Sequence, residues 1–434
     1  MNELARKEHV RNELALGIDI GTSGVRSAVV DAAGNVLSSA RAGHAATSHE
    51  DANAWWDAVA RVLEAQVTNL RSIDIDPKAI TRASVDGTSG SMVLVDGAVN
   101  PATPALMYHS SGFDAEAEII AQHAEPASIT RGTSSALARM LRLQSLDQTG
   151  NGTHLLHQAD FVIAKLAGQA VGSDDNNALK LGWDPETRAW PTWLGQAGVR
   201  TSLLPDVRPA GAAIGPIDPA IADQFGFLHA LTLHAGTTDS IAAFLASGAN
   251  QVGDAVTSLG TTLAIKLLSD VRVDDPASGI YSHLVGGMWL AGGASNTGGG
   301  VLAAHFSADE LAALSAQIDP STASDLDYYP LIKPGERFPI NDPNLAPRMG
   351  PRPASDAAFL HGLMESIARI EAQGYGKLCE LGAPAPKRMF TAGGGAKNPV
   401  WSAIRSRHSD AQFQPAREIE AAVGTALLAL RNTR

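Results

Sequence analysis

Two aspartates beside turns of small residues are the features of this sequence that most clearly suggest chemistry. Asp19 lies inside an apolar stretch that runs directly into the small residues 21–24, and Asp239 follows the short turn 236–238. A carboxylate within an apolar strand is either paired or placed there for use. Transfer of a phosphoryl group to an alcohol needs a base near the hydroxyl and an acid that holds hydrated Mg²⁺. Both aspartates are candidates for this chemistry, although local sequence explains Asp239 equally well as a helix N-cap.

Three glycine-rich turns could provide the backbone amides that phosphate oxygens require. They are Gly-Thr-Ser at 21–23, Gly-Thr-Thr at 260–262 and the glycine run 393–395. Glycine lets the backbone approach a ligand closely, and neighbouring N–H groups form a concavity for anions. The chain has no G-x-x-x-x-G-K-[ST] motif, and its first glycines lack the G-x-G-x-x-G spacing of a dinucleotide fold. Each turn alone is more often structural, but the set of three favours a nucleotide phosphate site.

The elements that would hold these turns repeat along the chain. Apolar and β-branched residues predict a hairpin with strands at 14–20 and 25–30, and a second hairpin with strands at 255–259 and 263–268. Aligning Gly21 with Gly260 pairs the two tips and places Ser258 at the position of Asp19. This indicates an internal repeat at the scale of a domain, with the acid in only one half.

Helices are predicted where apolar residues recur at a spacing of three and four. The clearest run from Asp51 to Leu70, from Asp356 to Leu381 and from Glu418 to Asn432. A strand at 389–392 is predicted to lead into the third glycine-rich turn. These elements alternate with the hairpins, which is typical of an α/β protein.

Composition and charge exclude several classes of function. The 434 residues are enough for two or three domains. With 33 basic and 45 acidic residues the net charge is −12, and no basic stripe is present, so nucleic acid is not expected as a partner. Cys379 is the only cysteine, which excludes a disulfide framework and fits a cytoplasmic setting. No apolar run of about 18 residues occurs, so no membrane span is expected.

The motifs resemble, in order and spacing, those of the FGGY carbohydrate kinases of the actin-like ATPase fold. Three stretches resemble the family's first phosphate, second phosphate and adenosine motifs: Asp19-Ile-Gly-Thr-Ser-Gly-Val-Arg26, Ser258-Leu-Gly-Thr-Thr262, and Gly393-Gly-Gly-Ala-Lys-Asn398 with Trp401. Two more also match: Gly335-Glu-Arg-Phe-Pro339 and Gly236-Thr-Thr-Asp239. The similarity spans essentially the whole chain.

The resemblance implies an α/β fold of two actin-like (ribonuclease H-like) ATPase domains with a nucleotide cleft between them. Residues 1–233 would form the N-terminal FGGY domain, with the sugar-binding region and the first phosphate hairpin. Residues 234–434 would form the C-terminal FGGY domain, with the second phosphate hairpin and the adenosine motif. The implied cofactors are ATP and Mg²⁺.

The resemblance also implies roles for individual residues. Asp239 is expected to deprotonate the terminal sugar hydroxyl, and Asp19 to position Mg²⁺-ATP through water. The residues expected to bind ATP are Gly21, Thr22, Ser23, Gly260, Thr261, Gly300, Gly394, Gly395, Asn398 and Trp401. The residues expected to bind the sugar are Asp19, Ser23, Gly24, Arg26, Ser89 and Asp239; among them Ser23, Arg26 and Ser89 are chosen by position alone.

Within the family, three stretches look most like the D-ribulose kinase or xylulose-kinase-like branch: 86–89, 173–180 and 338–344. The sequence also departs from wider family patterns. Residues 87–90 replace the Met-His pair that follows Gly-Gln in typical xylulose kinases, which speaks against D-xylulose. Residues 109–111 replace an Asn-Asp pair usual near Tyr108, so one common sugar contact is missing.

The leading hypothesis is an ATP-dependent kinase that phosphorylates the terminal hydroxyl of a ketopentose, converting D-ribulose to D-ribulose 5-phosphate. D-xylulose or a polyol is the alternative acceptor. A non-catalytic actin-like nucleotide-binding protein and, third, a hydride-transferring oxidoreductase are the alternatives of other classes. The expected partner is a small-molecule sugar, without nucleic acid or membrane, and a homodimer is one option for assembly.

Overall fold

The computed structural model describes residues 13–44, 50–126 and 128–431, which form two compact units. The first unit runs to Ala246 and takes up the chain again at Glu420, and the second unit is Ser247–Ile419. This division differs from the predicted boundary between residues 233 and 234. Residues 237–238 pair with the sheet of the first unit. The helix that ends at residue 246 and the helix that begins at residue 421 pack against each other, so both belong to the first unit.

Strands and helices alternate through both units. The strands are β1 (Leu14–Ile20), β2 (Gly24–Val30), β3 (Val36–Gly43), β4 (Ile80–Gly87), β5 (Met92–Val95), β6 (His154–His157), β7 (Ser173–Asp174), β8 (Val207–Arg208), β9 (Ala213–Pro216), β10 (Thr232–His234), β11 (Thr237–Thr238), β12 (Asp254–Leu259), β13 (Leu263–Ser269), β14 (Tyr281–Val285), β15 (Met288–Ser295), β16 (Arg388–Ala392) and β17 (Gln412–Pro415).

The α-helices are α1 (Ala52–Ser72), α2 (Asp114–His123), α3 (Ala136–Leu146), α4 (Gln158–Ala167), α5 (Asp175–Leu179), α6 (Trp193–Gln196), α7 (Pro219–Phe225), α8 (Asp239–Ala246), α9 (Gly299–His305), α10 (Ala308–Ser315), α11 (Asp356–Glu380), α12 (Pro399–Ser406) and α13 (Ala421–Leu430). Short 3₁₀ turns cover Pro77–Ala79, Thr201–Leu203, Pro276–Ser278 and Gly394–Lys397. Within the described ranges no helix has the length and apolarity needed to cross a membrane.

The elements predicted from periodicity are confirmed, with small shifts at their ends. Both predicted hairpins form, as β1–β2 and β12–β13, and the strand at 389–392 is β16. The helices predicted from Asp51 and Asp356 are α1 and α11. The predicted closing helix is shorter than expected, at 421–430, and Asn432 lies outside the described residues.

Each unit is built on a mixed sheet, and the two sheets repeat one pattern. The strand order is β3-β2-β1-β4-β10-β9 in the first unit, with β11 also beside β4, and β14-β15-β13-β12-β16-β17 in the second. In each sheet a hairpin pairs antiparallel, and its first strand pairs parallel with β4 or β16. Both hairpin tips have three residues, 21–23 and 260–262, so the internal repeat predicted from sequence is confirmed.

The sheet of the first unit is covered by helices whose apolar faces the sequence predicts. In α1 the side chains of Trp55, Val59, Val62 and Leu63 are buried, and the Asp51 side chain accepts a hydrogen bond at the helix start. These residues form one core with the apolar residues of β1 and β4. The core fixes the strands at whose ends the candidate site lies.

The C-terminal helix α13 packs very closely against β1 and α8 of the same unit because small residues line its contacts. A Cβ atom at Gly424 would overlap the carbonyl oxygen of Ala242 on α8, and one at Gly17 on β1 would overlap the backbone of α13. Only glycine allows the helix to pack at this distance. The close contact brings Glu420 and Thr425 to the edge of the sheet where Asp19 lies.

Candidate functional site

Three aspartates lie together at one edge of the sheet of the first unit. Strands β1, β4 and β11 run parallel, so their carboxyl ends lie at the same edge. Asp86 lies in register between Asp19 on β1 and Thr237 on β11, and Asp239 begins α8 directly after β11. Asp19 and Asp86 are 4% and 0% exposed. The topology therefore brings the two predicted aspartates next to a third.

Asp19 is held by a charged partner on the neighbouring strand. Arg26 lies opposite it on β2, with Nη1 3.3 Å from Asp19 Oδ2, and the Arg26 Nε lies 3.4 Å from Glu420 Oε2. Burial raises the pKa of Asp19 above its ordinary value of 3.8, and the hydrogen bond with Asp86 and the charge of Arg26 oppose that shift. Arg26, predicted to contact sugar, thus has its charge engaged by two carboxylates.

Asp86 is the buried carboxyl group that the sequence reasoning did not select. The Thr425 hydroxyl donates a hydrogen bond to Asp86 Oδ2, while no donor in the described part of the chain reaches Oδ1. Burial raises the pKa of Asp86 well above 3.8, and the negative charges of Asp19 and Asp239 add to this rise. The surroundings of Asp86 therefore favour its neutral form over its charged form. Its place in a Val-Asp-Gly strand end was the available signal.

Asp239 lies at the start of a helix and also close to the other two aspartates. It opens α8, and its Oδ1 accepts a hydrogen bond from the Ser240 amide at 2.6 Å. Asp239 is half-buried, in contrast to the fully buried Asp86. Its negative charge contributes to the raised pKa of Asp86. The residue therefore lies at a helix start and beside the other two carboxyl groups at the same time.

The tip of the first hairpin presents hydroxyl groups to solvent. Thr22 and Ser23 are exposed, and the Gly21 amide donates to the Gly24 carbonyl at 3.0 Å, which closes the turn. The Tyr108 hydroxyl lies 3.5 Å from Thr22 Oγ1. Gly24, which is predicted to bind sugar, is buried and is the first residue of β2, where it pairs with Gly43 of β3.

Ser89 lies on the loop that follows β4, close to Asp86 in the sequence. Its Oγ is buried and has no hydrogen-bond partner within the described ranges. The preceding Thr88 is fixed by the Gln158 side chain, which accepts from the Thr88 amide at 3.0 Å and from its hydroxyl at 2.7 Å. An unpaired buried hydroxyl is costly unless water or a ligand satisfies it, so Ser89 stays a predicted sugar contact.

A cavity of about 780 Å³ lies within the second unit. Seven of the residues expected to bind ATP line it: Gly260, Thr261, Gly300, Gly394, Gly395, Asn398 and Trp401. The remaining three, Gly21, Thr22 and Ser23, belong to the first unit. The fold thus gathers residues from two sequence motifs and from the start of α9 around one space, and their binding of ATP stays a prediction.

The cavity has the size and the walls that a nucleotide base and sugar require. Its volume lies in the range of about 300–1,000 Å³ typical of small-molecule sites. One wall is formed by the apolar side of α10, with Leu311 and Ala312, and another by Met364 of α11. Lys397 lies at the cavity and is exposed, so it supplies a positive charge. Sequence reasoning selected neither α10 nor Lys397, because their place is set by tertiary packing.

The adenosine motif forms a turn of fixed shape. The Asn398 side chain accepts from the Trp401 amide at 3.1 Å and donates to Ser315 Oγ at 2.9 Å, so it caps α12 and ties it to α10. The Trp401 ring is buried, and a Cβ atom at Gly395 would lie 2.7 Å from that ring. The turn therefore needs glycine to keep the cavity open, and its residues fit a bound nucleotide.

Glu336, from the Gly335-to-Pro339 motif, supports the same cavity from behind. It is 2% exposed and accepts hydrogen bonds from Ser295 Oγ at 2.5 Å, the Asn296 amide at 2.7 Å and Tyr329 Oη at 3.1 Å. These residues lead directly into the turn at 298–300, whose amides donate to the second hairpin tip. Glu336 thereby fixes the backbone around the cavity without lining it.

The acidic residues fit a hydrated metal ion better than a fully protein-bound one. Within the described ranges no three His, Cys, Asp or Glu side chains are arranged to hold a metal ion directly. Mg²⁺ usually keeps several waters and is bound by one or two carboxylates together with phosphate oxygens. Asp19 fits that mode, as predicted from the sequence, and its role stays a prediction.

Family models and known proteins match the chain along its length. The N-terminal domain of the FGGY family of carbohydrate kinases matches residues 14–246, and its C-terminal domain matches residues 255–433. The xylulose kinase of Escherichia coli is 23% identical over 451 residues, covering 95% of this chain and 89% of that protein. The gluconokinase of Bacillus subtilis is 23% identical over 370 residues, covering 80% and 66%.

The solved structure of xylulose kinase from Rhodospirillum rubrum has the same two-domain fold. It superposes with a TM-score of 0.84 at 23% identity, covering 96% of this chain and 89% of that one. The repeated sheets, the carboxylates at one sheet edge and the glycine-lined cavity are thus found in a chain matched over both family domains. On these grounds the protein belongs to the FGGY family of carbohydrate kinases, and it is a sugar kinase rather than a hydride-transferring oxidoreductase.

Proposed function

We propose that this chain transfers the γ-phosphate of ATP to the terminal hydroxyl of an open-chain ketopentose. The observation that carries the proposal is the placement of Asp19, Asp86 and Asp239 at one edge of a sheet, beside a hairpin tip with exposed hydroxyls. Phosphoryl transfer depends on positioning and on electrostatic stabilisation more than on covalent chemistry of the enzyme. A cluster of carboxyl groups with different environments suits the separate tasks of holding a metal ion and accepting a proton.

In this proposal Asp239 is the general base. It is half-buried and lies beside the fully buried Asp86, so it is the more accessible of the two carboxyl groups for accepting the proton of the acceptor hydroxyl. Asp19 holds hydrated Mg²⁺, and the ion when bound neutralises charge on the phosphate oxygens. Arg26 keeps the Asp19 carboxylate in place through the contact at 3.3 Å.

The nucleotide part of the proposal rests on the cavity of the second unit. Its apolar walls suit adenine, and the exposed Lys397 suits the negative charge of phosphates. The backbone amides of Thr261 and Thr262, at the second hairpin tip beside this cavity, are the proposed donors to phosphate oxygens. Removal of one such donor typically costs about 3–4 kcal/mol of barrier.

The acceptor proposed first is D-ribulose. The sequence departs from typical xylulose kinases at residues 87–90, which follow Asp86 and include Ser89. D-xylulose is the second candidate, because curated relatives along the chain carry the name xylulose kinase. A polyol is the third, and the relative named gluconokinase adds a sugar acid to the acceptors that merit testing.

The experiment is a measurement of ADP release from Mg²⁺-ATP with a panel of acceptors. The panel contains D-ribulose, D-xylulose, L-ribulose, ribitol, glycerol, D-gluconate and no acceptor, and each is tested with wild type and Asp239→Asn. We expect one acceptor to stimulate ADP release strongly and Asp239→Asn to lower kcat by about 10²- to 10⁴-fold. Asp223→Asn is the matched control, because Asp223 is an exposed carboxylate of the same unit that pairs with the surface histidine His229.

Each outcome decides a different part of the proposal. Stimulation by D-xylulose or a polyol alone would replace D-ribulose as the acceptor and keep the kinase. Full activity of Asp239→Asn would overturn the base assignment. Slow ADP release that no acceptor increases would favour a non-catalytic, nucleotide-binding role for this family member.

A further inference from the structure

A buried positive charge without an acidic partner lies in the first unit. Arg139 is on α3 and only 3% exposed, and in the described part of the chain no carboxylate pairs with it. Burial lowers the pKa of its guanidinium to about 10. Taking a cation out of water costs several kcal/mol unless hydrogen bonds compensate it. A residue that only filled space here could be apolar, so the charge and its donors need another explanation.

The partners of Arg139 are main-chain carbonyl groups on two separate loops and at the start of its own helix. Its Nε donates to the Gly90 carbonyl at 2.9 Å, and its Nη1 donates to the carbonyls of Tyr108 at 3.0 Å and Ser134 at 2.8 Å. A longer contact of 3.4 Å reaches the Ser110 carbonyl. One planar guanidinium therefore joins the loop 88–91 to the loop 107–112.

The two loops are also joined to each other. The Ser91 hydroxyl accepts a hydrogen bond from the Tyr108 amide at 3.0 Å, so the main chain of Tyr108 is held at both its N–H and its carbonyl group. Gly90 has φ of +84°, and a Cβ atom there would lie 2.7 Å from Arg139 Nη2. The loop 88–91 is thus shaped to fit against the guanidinium.

Both loops carry groups of the acceptor side of the site. Ser89, with its unpaired buried hydroxyl, directly precedes Gly90, and the Tyr108 hydroxyl reaches the hairpin tip at Thr22. The main chain of the loop 107–112 is held by the Ser91 hydroxyl and by the Arg139 guanidinium. Arg139, on α3, contacts the main chain of both loops at Gly90 and Tyr108.

We infer that Arg139 is a positioning residue for the acceptor sugar, which fixes the loops 88–91 and 107–112 so that Ser89 and Tyr108 are presented to it. This inference rests on the proposed kinase function and adds to it a specific determinant of acceptor binding. Arg139 and both loops lie in the first unit, whereas the nucleotide cavity lies in the second. A change at Arg139 should therefore affect the KM for the acceptor and leave the KM for ATP unchanged.

The test compares steady-state kinetics of Arg139→Lys and Arg139→Met with wild type, using the acceptor that the panel identifies. Lysine keeps the charge but is a single point donor that cannot join both loops, and methionine removes charge and donors. We expect the KM for the acceptor to rise about 10-fold for Arg139→Lys and up to about 100-fold for Arg139→Met, since misplacement by about 1 Å can cost 10²-fold. The KM for ATP should stay within about 2-fold.

Arg200→Met is the control, because Arg200 is bound through Asp147 at the far end of α3 and touches neither loop in the described structure. Gly90→Ala is a second variant that disturbs one loop directly and should raise the acceptor KM in the same direction. An equal rise of both KM values, or an acceptor KM within 2-fold of wild type in both Arg139 variants, would overturn the inference. Wild type that no acceptor stimulates would instead overturn the proposed function, so the two failures are distinct.

Discussion

Replacement of Asp86 by asparagine tests whether this buried carboxyl group is neutral in the folded protein. An asparagine can accept the hydrogen bond of the Thr425 hydroxyl and donate one to Asp19, as the protonated acid does. Asp86→Ala removes both interactions, although Thr425 keeps the Ala421 carbonyl as a partner and Asp19 keeps Arg26. Since a lost hydrogen bond costs about 0.5–1.5 kcal/mol, we expect Asp86→Ala to lose about 1–3 kcal/mol of unfolding free energy at pH 7, and Asp86→Asn to lose none.

The pH dependence gives a sharper form of the same prediction. The pKa of Asp86 is raised in the folded state, so its stabilising contribution is complete below the ordinary value of 3.8 and is lost as the pH rises toward the folded value. Asparagine binds no proton in either state. The stability of Asp86→Asn relative to wild type should therefore increase by about 1.4 kcal/mol per pH unit while the native carboxyl stays protonated.

The assay is urea unfolding followed by circular dichroism at pH 5, 6 and 7, with wild type, Asp86→Asn and Asp86→Ala. The matched control is Asp57→Asn, which changes an exposed carboxylate on α1 of the same unit and should show a flat difference over this range. If the difference between Asp86→Asn and wild type is flat, or falls as the pH rises, Asp86 is ionised in the folded protein and the reasoning is refuted.

Three further predictions concern close packing and charge. Gly395→Ala would place a Cβ atom 2.7 Å from the neighbouring indole ring, so the KM for ATP should rise about 10-fold in initial-rate measurements while the acceptor KM stays unchanged. Gly424→Ala would overlap the carbonyl oxygen of Ala242, and thermal unfolding should show a loss of about 1–3 kcal/mol or more. Asp254 is buried and paired with Arg388 at 2.7 Å, and although burial opposes the shift, the hydrogen bond of Arg388 lowers the pKa of this carboxyl below 3.8. Asp254→Asn should therefore cost about 1–3 kcal/mol at neutral pH in urea unfolding, and the difference should vanish as the pH falls below 3.8 through the folded pKa.

One control serves both glycine variants. Gly376 lies inside α11, and a Cβ built there meets no described atom within 4 Å beyond its own helix backbone, so Gly376→Ala should leave nucleotide kinetics unchanged and raise the unfolding free energy by about 0.5–1 kcal/mol through helix propensity. An effect of Gly376→Ala equal to that of Gly395→Ala would remove the packing explanation. A stability difference for Asp254→Asn that does not decrease as the pH falls from 3.8 through the folded pKa would assign its effect to shape rather than to charge.

Much of this protein can be predicted from local sequence, because its signals are periodic or conformational. The hairpins that carry the Gly-Thr tips, the helices from residues 52 and 356, and the internal repeat follow from apolar spacing and from turn residues. Asp19 could be selected because a carboxylate in an apolar strand is costly unless it is paired or used. The motif order was enough to indicate the family.

Other features are decided by contacts between residues far apart in the chain, and no local pattern contains them. The chain division after Ala246 depends on β11 joining the sheet beside β4 and on α13 returning to the first unit. Asp86 is a strand residue like its neighbours until parallel pairing places Asp19 on one side of it and Thr425 reaches it from the C-terminal helix. In the same way, the sequence shows Arg139 only as a cation on an amphipathic helix. The tertiary structure buries it and places the carbonyl groups of Gly90 and Tyr108, from two distant loops, within hydrogen-bond distance. Periodicity fixes which face of an element is buried, but pairing and long-range packing decide which polar groups meet there.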